Sequence, residues 1–308
     1  LVFEDFTIRD AKGDNIKVTD TKGVRFTRVK SEWTGEPKEE NGAYAFYPVL
    51  SKRVIVEECI AIGSSDAGIY VGQSDSVVIR NNEVFYNVAG IESENSRWVE
   101  IYGNHAHHNT GGILVFDLPG LIQSGHTTRV FDNEVISNNY RNFAPEGNIV
   151  ATVPSGTGLL LLATRNIEIF NNRIIDNRSL GVGVISYELV QAMGAEEGSQ
   201  LDSAITMTDT SYDPFPNQIS IHDNAFQNKY WIPTFTSDFG LLFFMKFPFN
   251  TPDIAFDGIL PSGSFEMCLS NNGNFQFVNL DAENDLIGLT GSWSGFDCQS
   301  DPIGQIMP

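Results

Sequence analysis

No run of about eighteen apolar residues occurs in the chain, so the sequence contains no candidate helix for crossing a bilayer. Basic residues are scarce. Lys and Arg number 19 against 39 Asp and Glu, a net charge of −20. That balance excludes general nucleic-acid binding, which needs basic surface, and suits solubility in salt or the binding of cations. Cysteine is sparse too, at three in 308 residues, with no Cys-x-x-Cys pair. The phosphate-cradling P-loop, the Gly-x-Ser-x-Gly nucleophile elbow and the Gly-Gly-x-Gly-x-Asp calcium repeat are all missing. No stretch sustains a 3.6-residue apolar period, which removes the helix as the organising element.

What the chain has instead is a column of asparagines. Ile79-Arg80-Asn81-Asn82, followed by Asn87, recurs as Ile101-Tyr102-Gly103-Asn104 with Asn109. It returns as Val130-Phe131-Asp132-Asn133 with Asn138, and as Ile169-Phe170-Asn171-Asn172 with Asn177. A weaker echo is Ile221-His222-Asp223-Asn224. A second phrase alternates with the first: Ala67-Gly68-Ile69, Ala89-Gly90-Ile91, Gly111-Gly112-Ile113 and Thr157-Gly158-Leu159. From Gly to Asn the spacing is 14 residues at 68→82, 90→104 and 158→172. A period near 22 residues with short runs alternating at period two predicts a right-handed, single-stranded parallel β-helix. Stacked coils put equivalent residues about 4.8 Å apart, so an inward corner Asn can donate to one neighbour and accept from the other. Asn also tolerates the left-handed backbone that a tight corner requires.

The corners fall at Phe6, Val29, Cys59, Asn82, Asn104, Asn133, Asn172 and Asn224. Leu1 therefore begins in mid-coil, and we expect further chain upstream, removed or missing, as in a processed exported protein. Residues 1–229 are assigned to the solenoid and 230–308 to a C-terminal segment without the repeat. Cys59 lies in the Asn column and is expected as a buried free thiol. Cys268 and Cys298 lie outside the repeats and are expected to pair, which implies an oxidising compartment. Four insertions interrupt the coils: Gly35 to Gly42, Phe116 to Thr128, Tyr140 to Gly156 and Tyr187 to Pro216. The first and third leave from the same corner and are expected to wall a cleft. The aromatic stretch Phe235 to Asn250 is read as a cover for an apolar stripe, such as the outward column Tyr102, Phe131 and Phe170, or for the C-terminal end of the solenoid.

Side chains after each Gly alternate, so Lys17, Tyr70, Glu92, Leu114 and Leu160 point outward on one face. Glu94 and Phe116 follow on the next outward positions, and Gln73, Asn95 and Asp117 on the following turn. A polysaccharide lyase or epimerase needs a charge stabiliser, a base and an acid, and a hydrolase needs two carboxyl groups. Candidates for these roles are Tyr70 or Tyr44 as base or acid, Lys38 as charge stabiliser, and Glu92 with Asp117 or Asp66. Lys17, Trp33, Asp66, Gln73, Asn95 and Asn142 are the candidate substrate contacts. No cofactor is evident, although Ca²⁺ or a transition metal would suit the acidic surface. His105 and His107 share one face of a strand, with Glu83 and Glu134 alongside, and form a candidate metal set.

Several longer phrases are specific: Ser65 to Ser74, Val88 to Glu92, Asn109 to Pro119, Asn142 to Pro154, Glu32-Trp33-Thr34 with Pro37 to Tyr44, and Phe296-Asp297-Cys298. Together they resemble a bacterial family of exported parallel β-helix repeat proteins over nearly the whole chain. The resemblance implies a secreted, periplasmic or outer-surface-anchored protein, often encoded beside a cytochrome-c-like protein, which becomes a candidate partner. No activity or catalytic residue comes with it. More distantly, the chain is similar to carbohydrate-binding and sugar-hydrolase-type β-helices, which include alginate epimerases and lyases. Their Tyr-Gly-Phe-Asp-Pro-His signature is not matched, because Tyr44-Ala45-Phe46-Tyr47-Pro48 lacks the Asp and the His. The expected function is binding, and cleavage or epimerisation, of an extracellular polysaccharide or oligosaccharide. Docking of the cytochrome-c-like partner is the alternative, and a metal-dependent enzyme built on His105 and His107 the third.

Overall fold

A computed structural model describes residues 1–197, 212–234, 241, 245–246 and 251–306. The chain winds as a parallel β-helix of three sheets. Sheet A has nine strands, from Val2–Glu4 to Met267–Ser270. Sheet B has eight three-residue strands, from Thr7–Arg9 to Ala225–Gln227, and sheet C nine, from Ile16–Thr19 to Phe277–Asn279. Every pairing between strands of these sheets is parallel and joins one coil to the next. The period-two runs explain this. Val56, Ile79, Ile101, Val130, Ile169 and Ile221 are in register and fully buried. They pack across the core against Phe46, Ile69, Ile91, Ile113 and Leu159 of sheet C. β-branched residues fit such a pleated, enclosed surface.

Each of the three corners has its own ladder. Between sheets A and B, Asn82, Asn104, Asn133, Asn172, Asn224 and Asn272 form a continuous chain of amide bonds. Between B and C, Asn87, Asn109, Asn138 and Asn177 do the same. The third corner, between C and A, uses hydroxyls: the backbone N–H groups of Thr21, Ser51 and Ser74 donate to Ser51, Ser74 and Ser96. The left-handed backbone falls one residue before each ladder residue, not on it. It is taken by Asn81, Gly103, Asp132, Asn171 and Asp223 at the first corner. The ladder asparagines are thus selected for hydrogen bonding, and their predecessors for conformation.

The parallel sheets do not stop at Lys229, where the repeat phrases end. Ile254–Phe256 and Phe277–Asn279 extend sheet C, and Met267–Ser270 extends sheet A. Asn272 continues the first Asn ladder. The signal was there in Leu269-Ser270-Asn271-Asn272, but the distance from Asn224 hid it. Cys268 is consequently a strand residue of this last coil, bonded to Cys298, and Cys59 is a free, buried thiol. Burial pushes the Cys59 thiol up to about 11, so it stays protonated and unreactive at neutral pH. Closing a loop of 30 residues, the disulfide should contribute about 3–4 kcal/mol. Cys298→Ser is expected to speed amide hydrogen exchange in Met267–Ser270 while leaving the coils around Asn104 unchanged. Equal exchange in both regions would refute a local role for the bond.

The stripe of Tyr102, Phe131 and Phe170 is stacked ring on ring, continued by His222, with centroids 4.8, 4.9 and 5.3 Å apart. Arg129 lies over two of these rings and pairs with the buried Glu100 and Glu168. Near the C-terminus the chain returns to this face, where the Ile306 N–H donates to Glu100. The expected cover, Phe235 to Asn250, falls almost wholly outside the described residues.

Candidate functional site

The outward face of sheet C is not a solvated polar surface. A second apolar layer covers it, built from Leu114, Phe116, Leu160 and Leu162 of the strands and Phe143, Val150 and Val153 of the 140–156 insertion. The helix Tyr187–Glu197 adds Tyr187, Leu189 and Val190. Arg141 of the third insertion donates to the Pro37 carbonyl of the first, so these two loops meet. Tyr70 and Glu92, which alternation placed outward, are therefore enclosed: Tyr70 is 4% exposed and Glu92 1%.

Within this layer, three carboxyl groups and three phenols converge where the strands Ala67–Gly72 and Ala89–Glu94 lie side by side. Tyr70 packs against Tyr44 and Tyr47 with ring centroids 4.5 and 5.0 Å away, and Tyr44 lies 4.4 Å from Tyr47. The Tyr70 hydroxyl donates to Glu94 at 2.6 Å. It reaches Glu94 by lying across Gly72, where a Cβ would sit 2.3 Å from the phenol oxygen, so that position must be glycine for the contact to form. Asp66 accepts from the Tyr44 hydroxyl and from the Asn148 amide, each at 3.3 Å. Glu92 is its neighbour, and a proton held by Glu92 and accepted by Asp66 raises Glu92 while it lowers Asp66. Glu92 Oε2 finds no hydrogen-bond partner among the described residues.

The electrostatics follow from burial and mutual repulsion. Desolvation first, then the charge of Glu94, push Asp66 up to about 7. Desolvation and the neighbouring Asp66 and Glu94 raise Glu92 well above the usual carboxyl range. Glu94 is also raised by burial, although the Tyr70 hydroxyl opposes the shift. Burial and the surrounding carboxylates raise the phenols of Tyr44 and Tyr70 far out of the physiological range. Lys17 sits at the margin, 4.3 Å above the Tyr47 ring, and the half-buried Asp14 lies near it. The cluster is open to solvent along Glu94, Tyr47 and Lys17, which are only partly covered or exposed.

Other expected site residues lie elsewhere. Lys38 is exposed, and its carbonyl closes a turn with Asn41. Gln73, Asn95 and Asp117 fasten the 116–128 insertion: Gln73 accepts from Ile122, Asn95 holds Leu118 and Gln123, and Asp117 accepts from Gly125. Asp117 is pushed up to about 7, first by burial, and its electrostatic neighbours are Arg165, Arg97 and Asp213 rather than Glu92. Trp33 is a core residue whose indole N–H donates to the Ala11 carbonyl. Asn142 binds the Val150, Ala151 and Val153 carbonyls within its own loop. Glu94 and Tyr47 complete the cluster although neither had been assigned a role. The i, i+2 spacing of Glu92 and Glu94 was the available signal.

On the outer face of sheet B, Glu83, His105 and His107 each present a ligand atom, all within 4.8 Å of one another. Glu134 flanks His105 from the next strand, as expected, but its carboxylate is engaged by Arg173.

Residues 1–123 match the family described as "Right handed beta helix region". No curated protein sequence matches the chain. Among solved structures, the periplasmic alginate epimerase AlgG is 18% identical over 66% of this chain and 42% of its own, with a TM-score of 0.41. The enzymatically active domain of bacteriophage CBA120 tailspike protein 2 is 12% identical over 93% of this chain and 36% of its own, with a TM-score of 0.49. The A-module of the mannuronan C-5 epimerase AlgE6 of Azotobacter vinelandii is 11% identical over 82% of this chain and 60% of its own, with a TM-score of 0.41. The chain spans less than half the length of the AlgG structure. Sheet order, corner ladders and the family match together make the chain a right-handed parallel β-helix protein.

Proposed function

We propose that the face of sheet C around Asp66, Glu92 and Glu94 binds an uncharged glycan and hydrolyses its glycosidic bond. One observation carries this reading: protonated and ionisable carboxyl groups share one enclosed, tyrosine-lined site. Glycoside hydrolysis requires one carboxyl group that holds a proton near neutral pH and a second that acts as base or nucleophile. Asp66 and Glu92 together hold a proton, and Asp66, raised to about 7, suits the acid. Glu94, oriented by the Tyr70 hydroxyl and nearest to solvent, suits the base. The glycosidic carbon–oxygen bond breaks as the water oxygen bonds to the anomeric carbon, Asp66 gives its proton to the departing oxygen, and Glu94 takes a proton from the attacking water. Tyr44 and Tyr47 supply ring surface on which a sugar can rest.

The lyase and epimerase reading is less well supported by the same groups. A polyuronate brings its own carboxylates, and among the described residues no Arg or Lys is a neighbour that sets the charge of Asp66, Glu92 or Glu94. Tyr44 and Tyr70, with phenols raised by burial, are poor bases. An exported location agrees with the Cys268–Cys298 bond.

The test is incubation with neutral and uronate polysaccharides, following new reducing ends and unsaturated-uronate absorbance together. Reducing ends from a neutral glycan, lowered roughly 10²- to 10⁴-fold in Asp66→Asn and Glu94→Gln, are expected. Unsaturated products from a uronate would overturn the assignment. Binding without turnover would leave a lectin-like role for the same face.

A further inference from the structure

We propose that Glu83, His105 and His107 form a second, independent site on the outer face of sheet B that takes a divalent late transition metal of the Zn²⁺ class. His105 and His107 stand two apart on the strand His105–His107, so both project from the same face. Their ring centroids are 4.2 Å apart. Glu83 is the register partner of His105 on the adjacent strand, and its Oε1 lies 3.2 Å from His107 Nε2. Donor atoms around a tetrahedral zinc, at about 2.0–2.1 Å from the metal, stand roughly 3.3–3.5 Å apart, so this pair already has the required separation. Two imidazoles and one carboxylate favour zinc, nickel or copper over calcium, which prefers an all-oxygen shell.

The surroundings orient His107. Phe85 stacks on its ring at 5.0 Å with planes 11° apart. Its Nδ1 lies 2.7 Å from Nδ1 of His108, which occupies a left-handed corner position. In the tautomer where His107 donates through Nδ1–H to His108, its Nε2 lone pair faces the Glu83 oxygen across 3.2 Å, and a metal ion can take the place of the Nε2 proton. His108 is thus a positioning residue of the kind that fixes ligand tautomers in metal sites. Three protein ligands leave a fourth position open to water. The glycan site sits on sheet C, so neither site depends on the other.

The test is equilibrium dialysis of the whole chain against Zn²⁺ alone, with Co²⁺ absorbance as a report of coordination. One Zn²⁺ per chain is expected. His105→Ala and His107→Ala should each weaken binding at least about tenfold, Glu83→Gln and His108→Ala less, and His222→Ala not at all. These side chains point away from the core, so unchanged far-ultraviolet dichroism is the folding control. Absence of stoichiometric binding, or binding kept in the His105→Ala/His107→Ala double variant, would overturn the site.

Discussion

Asn104→Ala should cost the solenoid about 4–6 kcal/mol, a large share of the 5–15 kcal/mol that holds a typical domain together. The Asn104 Oδ1 accepts from both the backbone N–H and the side-chain amide of Asn82, at 3.0 and 2.9 Å. Its Nδ2 donates to Asn133 Oδ1 and to the Ile79 carbonyl, both at 3.0 Å. Alanine would strand groups on two neighbouring coils where water cannot reach them, and an unmade hydrogen bond at a buried site costs about 1–3 kcal/mol. Asn104→Asp should be no better. It keeps the acceptor but turns a negative oxygen toward the Asn133 and Ile79 oxygens. Asn272, at the end of the ladder, accepts from the Asn224 N–H and side-chain amide as Asn104 does from Asn82, but among the described residues it donates only to the Ile221 carbonyl, so Asn272→Ala should cost somewhat less. Because a solenoid can lose coils in blocks, denaturant titration should be paired with hydrogen exchange resolved by coil. A loss below about 1 kcal/mol for Asn104→Ala would show that the ladder is not what holds the corner.

The same ladder explains which parts of the molecule could be read from sequence. Inward positions must match between coils, so Asn82, Asn104, Asn133 and Asn172 repeat and announce the fold. The strand alternation that buries Ile69 and Ile91 repeats for the same reason. The left-handed position needs only a residue tolerant of positive φ, and it varies among Asn, Gly and Asp. The serine corner was missed because Ser51, Ser74 and Ser96 are individually unremarkable in loops. Outward positions obey no such constraint. Alternation placed Tyr70 and Glu92 outward correctly, yet nothing in their own coils told that residues Phe143, Val150 and Val153, about sixty residues onward, would fold back and enclose them. Burial is what changes the chemistry of Glu92 from a solvated carboxylate to a proton-holding group. It also separates Asp117 from it, since Asp117 belongs to the corner that fastens a different loop.

Asp66→Asn and Glu92→Gln should each make the protein more stable at pH 8 while removing the proposed activity. Asp66 is raised to about 7 in the folded chain, against about 3.9 unfolded. Between those values the folded state binds more protons than the unfolded state, so stability falls as pH rises. The contribution is fully present below about pH 4 and lost by about pH 8, and for Asp66 alone three pH units correspond to roughly 4 kcal/mol. Glu92 and Glu94 have the same sign, as does Asp257, which burial raises to about 6. Glu57 has the opposite sign: despite the desolvation that raises it, its bonds to Arg80 and Arg25 hold it below the usual range. Its contribution is present above the unfolded value and lost as pH falls through the folded one, so maximal stability lies on the acid side of neutrality, near pH 5. A neutral amide at position 66 or 92 removes the charge that burial penalises. Each variant should therefore flatten the alkaline limb and gain nothing at pH 4.5, with a gain of about 2–4 kcal/mol at pH 8 for Asp66→Asn. Thermal or urea unfolding across that range measures it. A wild-type protein equally stable at pH 5 and pH 8, or variants parallel to it at every pH, would mean that these carboxyl groups are hydrated and not enclosed. The acid assignment of Asp66 would fall with them. The opposite result, stability gained where activity is lost, is expected of groups whose buried charge serves chemistry rather than folding.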